Sequence, residues 1–131
     1  MLIVTVAACR QGGRQAEIDV AEILADTTFV NVLYFRIKQR CETCNAVAAV
    51  ARNTIETAFA GNEKVRYIEI ENSNKANYAL LEKYEVLWNA LIITKKDDAV
   101  DITQRAFLNA VNNSQFVENL MKDEINKRLT N

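Results

Sequence analysis

The chain has 131 residues, half of them apolar and a quarter charged, so it is long enough for one compact domain and too apolar to be disordered. Sixteen lysines and arginines against seventeen acidic residues leave a net charge of −1, which argues against nucleic-acid binding because no strong positive field is available. The absence of histidine excludes Ser-His-Asp, Cys-His and histidine-based metal chemistry.

The first nine residues form an apolar run that ends in small residues and Cys9. This run resembles the end of a bacterial lipoprotein signal, which implies lipidation of the Cys9 thiol. Residues 1–15 are then a truncated signal and a linker, and residues 16–131 form one domain. The protein would be exported and lipid-anchored at the periplasmic face of the cell envelope. The alternative is a β-strand over residues 2–8, a segment rich in β-branched side chains, and a cytoplasmic location.

Apolar periodicity after the linker predicts alternating helices and strands. Strands are expected at residues 29–37, 65–70, 89–94 and 99–103, and helices at 16–25, 45–59, 75–84 and, in two pieces broken at 112–114, over 104–129. The first strand is apolar on both faces, as in the interior of a parallel sheet. This order predicts an α/β fold, a three-layer sandwich with a central mixed sheet of about four strands and flanking helices.

Cys41 and Cys44 lie where the first long strand meets the first long helix. One helical turn separates them, which allows a disulfide, and free N–H groups at a helix N-terminus favour a thiolate. We expect Cys41 to occupy the N-cap position as the exposed, more acidic thiol and Cys44 to be the shielded, resolving thiol. A cysteine pair in this strand–helix context is typical of thioredoxin-like redox sites.

Charged residues surround the pair in the sequence. Arg40, Lys38 and Arg36 are expected to add positive potential, and Arg40 in particular to lower the pKa of the Cys41 thiol. Glu42 opposes them.

The cysteine pair has two alternative roles that stay open. The cysteines can simply pack as small apolar residues at a helix start. They can also bind a metal, but structural zinc takes four ligands and only Cys9 could join the pair within one chain, unless a dimer supplied two pairs. We therefore predict no metal.

Residues 29–100 resemble a thioredoxin fold. The cysteine pair lies at the first long helix, and the segment from Tyr84 to Ile93 resembles the entry to the third central strand. The resemblance implies a substrate groove formed by Trp88, Asn89 and Ala90, although Trp88 can equally be a packing residue.

A narrower resemblance rests on three motifs, Tyr34-Phe35, Arg40-Cys41-x-Thr43-Cys44 and Glu82-Lys83-Tyr84-x-Val86. They resemble the bacterial ArsF-type family of nitrophenyl-compound nitroreductase subunits, thioredoxin-like proteins found beside arsenical and related redox transport genes. The chain departs from thioredoxin itself at two positions. Ala90 stands where thioredoxin has a cis-proline, and the strand before the cysteines carries Tyr34 and Phe35 instead of a buried acid.

The sequence therefore predicts a thiol–disulfide oxidoreductase that uses Cys41 and Cys44, without a cofactor, on a dedicated protein disulfide or dithiol partner such as a membrane redox or transport protein. Two alternatives remain. One is a non-catalytic thioredoxin-like binding module of a membrane redox or transport complex, and the other is a soft-metal or metalloid carrier that uses the two thiolates.

Overall fold

A computed structural model describes residues 20–39 and 41–130 of the chain. The five helices in this part are α1 (Val20–Leu24), α2 (Glu42–Ala58), α3 (Tyr78–Lys83), α4 (Thr103–Asn109) and α5 (Ser114–Leu129). The four strands are β1 (Val30–Arg36), β2 (Val65–Glu71), β3 (Ala90–Lys95) and β4 (Asp98–Asp101), and a 3₁₀ turn at Lys75–Asn77 precedes α3.

The strands form one mixed sheet in the order β2-β1-β3-β4. Strand β1 pairs in parallel with β2 and antiparallel with β3, and β4 completes a hairpin with β3. Helix α2 is the crossover between the parallel strands, since such strands cannot be joined by a tight turn. The α/β class and the four-stranded mixed sheet with flanking helices are confirmed, and they are consistent with a thioredoxin-like sandwich.

Alternate residues of β1 point to opposite faces of the sheet and build two cores. Val30, Val32 and Tyr34 face the larger core, which buries side chains of α2, α4 and α5. Leu33 and Phe35 face the smaller core, which packs against α1 and α3. Strand β1 is thus buried on both sides, as its nearly continuous apolar sequence predicts.

The predicted elements match the observed ones with small shifts at their ends. Helix α2 begins at Glu42, directly after the predicted Cys41 N-cap and three residues before its apolar stripe. The segment before α3 is a 3₁₀ turn, capped by the Asn74 side chain. The lead-in helix is seen as α1, while its predicted first residues, 16–19, lie outside the described residues. None of the helices described is long and apolar enough to cross a membrane.

Candidate functional site

The two cysteines form a disulfide at the start of α2, with their Cα atoms 5.0 Å apart. Cys41 is the N-cap residue in an extended conformation, and its sulfur accepts a hydrogen bond of 3.0 Å from the Cys44 backbone N–H. Cys41 is exposed, whereas Cys44 is 8% exposed. The first cysteine of the pair is therefore exposed and the second is buried, as their positions at a helix start predict.

Three strand ends and the beginning of α2 meet at this edge of the sheet. Asn72, just after β2, donates its backbone N–H to the Arg36 carbonyl at the end of β1. Its side-chain Nδ2 donates to the Trp88 carbonyl, just before β3, at 2.6 Å. The segment that leads into β3 is thereby fastened to the carboxyl ends of the two parallel strands, where sites of α/β proteins commonly lie.

Tyr34 connects the disulfide to the predicted groove. Its side chain is 2% exposed, and its hydroxyl donates a hydrogen bond of 3.1 Å to the Cys44 carbonyl. The same oxygen accepts a hydrogen bond of 3.2 Å from Asn89 Nδ2. Cys44, Tyr34 and Asn89 also line a recess of about 10 Å³, room for no more than one water molecule. The structure thus brings Asn89 to the cysteine pair.

Sequence reasoning did not predict that Tyr34 links Cys44 and Asn89 by hydrogen bonds. A hydroxyl at a buried position of a largely apolar strand needs a hydrogen-bond partner, and that requirement is the signal that could have found it. The identity of the partners was beyond sequence reasoning, because Asn89 lies 55 residues further along the chain.

The other groove residues differ in burial. Ala90 is 4% exposed and pairs with Phe35 across β1 and β3. No cis peptide bond occurs among residues 20–39 and 41–130, so the bond before Ala90 is trans, as alanine at this position predicts. Trp88 is 71% exposed, so the alternative that it packs in the core is wrong.

Arg36, which was expected to add positive potential near Cys41, forms ion pairs in the structure. Its guanidinium forms ion pairs with Glu69 at 3.3 Å and Glu71 at 3.4 Å, both on β2, so its charge is balanced on the sheet. Glu69 also pairs with Arg52 of α2 at 3.5 Å. Lys38 is exposed. Arg40 and Cys9, predicted to tune the thiol and to carry a lipid, lie outside the described residues.

Tyr67 of β2 belongs to the same charged group, because its hydroxyl donates to Glu69 at 2.8 Å. Burial, followed by this hydrogen bond and the carboxylate charge, raises the pKa of Tyr67 well above its ordinary value. The native protein therefore holds the Tyr67 proton at a pH at which the unfolded chain, with a tyrosine pKa of about 10, has released it.

Alkaline destabilisation should follow from this raised pKa. Below about pH 10, Tyr67 is protonated in the folded and unfolded states alike and does not change the free energy of unfolding. Above that pH, the free energy of unfolding should fall by up to about 1.4 kcal/mol per pH unit. Tyr67→Phe should flatten this fall in urea unfolding followed by circular dichroism between about pH 9 and 11.5. Tyr78→Phe, at a tyrosine that is 52% exposed, is the matched control and should keep the wild-type slope. Equal slopes in all three proteins would refute the assignment.

Comparisons with known proteins add little to this geometry. No family model matches the chain, and no curated protein matches it. A solved structure described as "Structure of a malarial protein" is similar over 61% of this chain and 93% of its own, with 19% sequence identity and a TM-score of 0.42.

Within the described residues, no group of three or more Cys, Asp or Glu side chains is arranged to hold a metal ion.

Proposed function

We propose that the protein is a thioredoxin-like thiol–disulfide oxidoreductase in which Cys41 and Cys44 exchange electrons with a protein partner. The observation that carries the proposal is the disulfide at the start of α2, with one sulfur-bearing residue exposed and the other buried. A pair that served only for packing would be expected to bury both cysteines, whereas Cys41 is exposed.

The exchange has two steps. In the reduced protein, the Cys41 thiolate attacks one sulfur of the partner disulfide, forming a mixed disulfide and releasing the partner's other sulfur as a thiolate that takes up a proton. The Cys44 thiolate then attacks the Cys41 sulfur, closing the Cys41–Cys44 disulfide and releasing the second partner thiol. Two electrons pass from the pair to the partner, and the reverse sequence oxidises a partner dithiol.

The local structure supports Cys41 as the attacking group. The Cys44 N–H that already points at its sulfur would stabilise a negative charge there, together with the other free N–H groups at the beginning of α2. Glu42 in the first turn opposes this effect. The tuning role of Arg40 stays a prediction.

The test is a redox titration of the whole chain. Free thiols are counted by alkylation and mass spectrometry after equilibration with thiol–disulfide buffers of set potential. We expect a two-electron transition of the Cys41–Cys44 pair between roughly −300 and −120 mV, the span of known dithiol oxidoreductases. A pair that stays reduced, or stays oxidised, across this whole range would contradict the proposal.

An exposed apolar surface favours a second function, a docking module. Tyr78, Leu87 and Trp88, here called the 78–88 surface, are 52%, 82% and 71% exposed. Tyr78 and Leu87 line a shallow groove together with Leu81, Val86 and two glutamates, Glu82 and Glu85, and Trp88 follows Leu87 in the chain. Grouped exposed apolar side chains are typical of protein-binding surfaces. If substitutions in the 78–88 surface abolish the cellular activity while Cys41→Ser leaves it intact, docking is the function.

Three further predictions from the sequence remain proposals. Membership of the ArsF-type family would place the partner in a membrane redox or transport system. Lipidation of Cys9 would place the protein at the periplasmic face of the cell envelope. The third, a soft-metal or metalloid carrier, would bind one ion per reduced cysteine pair.

A further inference from the structure

The hydrogen bonds around Tyr34 determine how the Asn89 amide is oriented. A backbone carbonyl can only accept, so the Tyr34 hydroxyl must donate its single proton to Cys44 O. Towards Asn89 the same hydroxyl can then only accept, and the amide nitrogen, not the oxygen, must face it. The amide oxygen of Asn89 is therefore directed away from the buried hydroxyl.

The backbone around Asn89 is fixed as well. Asn72 holds the preceding carbonyl, that of Trp88, and the following residue, Ala90, is paired into the sheet with Phe35. Asn89 itself is only partly buried, and it shares its recess with Cys44. Asn89, a partly exposed residue, is thus held next to Cys44 between two hydrogen-bonded neighbours, with its amide nitrogen turned to Tyr34.

We propose that Tyr34 is a positioning residue that turns the Asn89 oxygen towards the partner chain, where it accepts a backbone N–H next to the exchanged cysteine. This inference rests on the proposed oxidoreductase function and adds a specificity to it. The site should favour disulfides embedded in polypeptide over small disulfides that have no N–H donor. Losing one neutral hydrogen bond of this kind should cost about three- to tenfold in rate.

The experiment compares two oxidants of the reduced whole chain. One is 4,4′-dithiodipyridine, which has no N–H or O–H donor, followed by absorbance. The other is a disulfide-linked dimer of an acetylated, amidated pentapeptide with one central cysteine, followed by acid quench and chromatography. Tyr34→Phe should lower the second-order rate constant for the peptide about three- to tenfold and leave the dithiodipyridine rate within about twofold of wild type.

Two further variants test the route through Asn89. Asn89→Ala should reproduce the selective loss, and the double variant should lose no more than either single variant, because both remove the same hydrogen bond to the peptide. Tyr67→Phe is the matched control, since it also deletes a tyrosine hydroxyl on this face of the sheet, and it should leave both rates unchanged. Asn89→Ala keeps the test valid if Tyr34→Phe fails to fold.

The outcomes separate the two proposals. A wild-type protein whose pair reacts with neither oxidant contradicts the oxidoreductase function itself. A wild-type protein that reacts with both, while Tyr34→Phe and Asn89→Ala keep the peptide rate, overturns only the inference about Tyr34. Equal losses with both oxidants also overturn it, because they would show that Tyr34 acts on the cysteines rather than on partner recognition.

Discussion

Replacing Cys41 with serine should reduce thiol–disulfide exchange to the background rate, a loss on the order of a thousandfold or more. A serine hydroxyl at neutral pH does not attack a disulfide, and the buried Cys44 is 8% exposed, too shielded to substitute for Cys41. The measurement is the rate at which each reduced variant reacts with the disulfide peptide, followed by chromatography.

Cys44→Ser should behave differently from Cys41→Ser. Attack by Cys41 would still occur, but no second thiol could resolve the product, so a mixed disulfide between Cys41 and the peptide should accumulate and be visible by mass spectrometry. Cys9→Ser is the matched control and should keep the wild-type rate. A mixed disulfide that accumulates on Cys44 in the Cys41→Ser variant would reverse the assigned roles.

Phe35→Ala should cause the largest loss of stability, about 3–5 kcal/mol in the free energy of unfolding. Phe35 is fully buried at the centre of the smaller core, and its ring lies 6.1 Å from that of Tyr84. Truncation removes most of its apolar contacts and leaves a cavity in a strand that is packed on both sides. Chemical denaturation followed by circular dichroism measures the loss.

Phe116→Ala provides the matched control, because this phenylalanine is 41% exposed near the beginning of α5. The same truncation there should cost less than about 1 kcal/mol, since much of the ring is already hydrated. Similar losses at the two positions would show that the smaller core does not depend on Phe35. Phe35 lies opposite Ala90 of the predicted groove. The exchange rates of Phe35→Ala and Phe116→Ala therefore show whether a loss of stability by itself lowers the rate.

The elements were largely predictable because they depend on neighbours in the chain. The nearly continuous apolar run from Val30 to Phe35 predicts a buried strand, and Asn112-Asn113-Ser114 predicts the break between α4 and α5. The N-cap role of Cys41 was predictable for the same reason, because a cap bonds an N–H only three residues away. The apolar stripe of α2 by itself indicates a start three residues later, because the stripe begins after the cap.

The surroundings of the cysteine pair were less predictable. Arg36 was expected to add positive potential, but Glu69 and Glu71 on the parallel neighbour strand neutralise it. That pairing depends on the register between β1 and β2, which places Arg36 opposite Glu71. Trp88 could have been a packing or a surface residue, and its exposure followed only from the fold.

The amino-acid sequence by itself determined the alternation of helices and strands, the position of Cys41 and Cys44 at a helix start and the shielding of the second cysteine, since local periodicity and capping govern all three. Only the tertiary structure decided that Asn89 and the Cys44 carbonyl both hydrogen-bond to the Tyr34 hydroxyl. It also decided that Arg36 forms ion pairs with two glutamates of β2. Such contacts join residues about 35 to 55 positions apart, and strand order and register, which arise from burial of the whole sheet, bring them together.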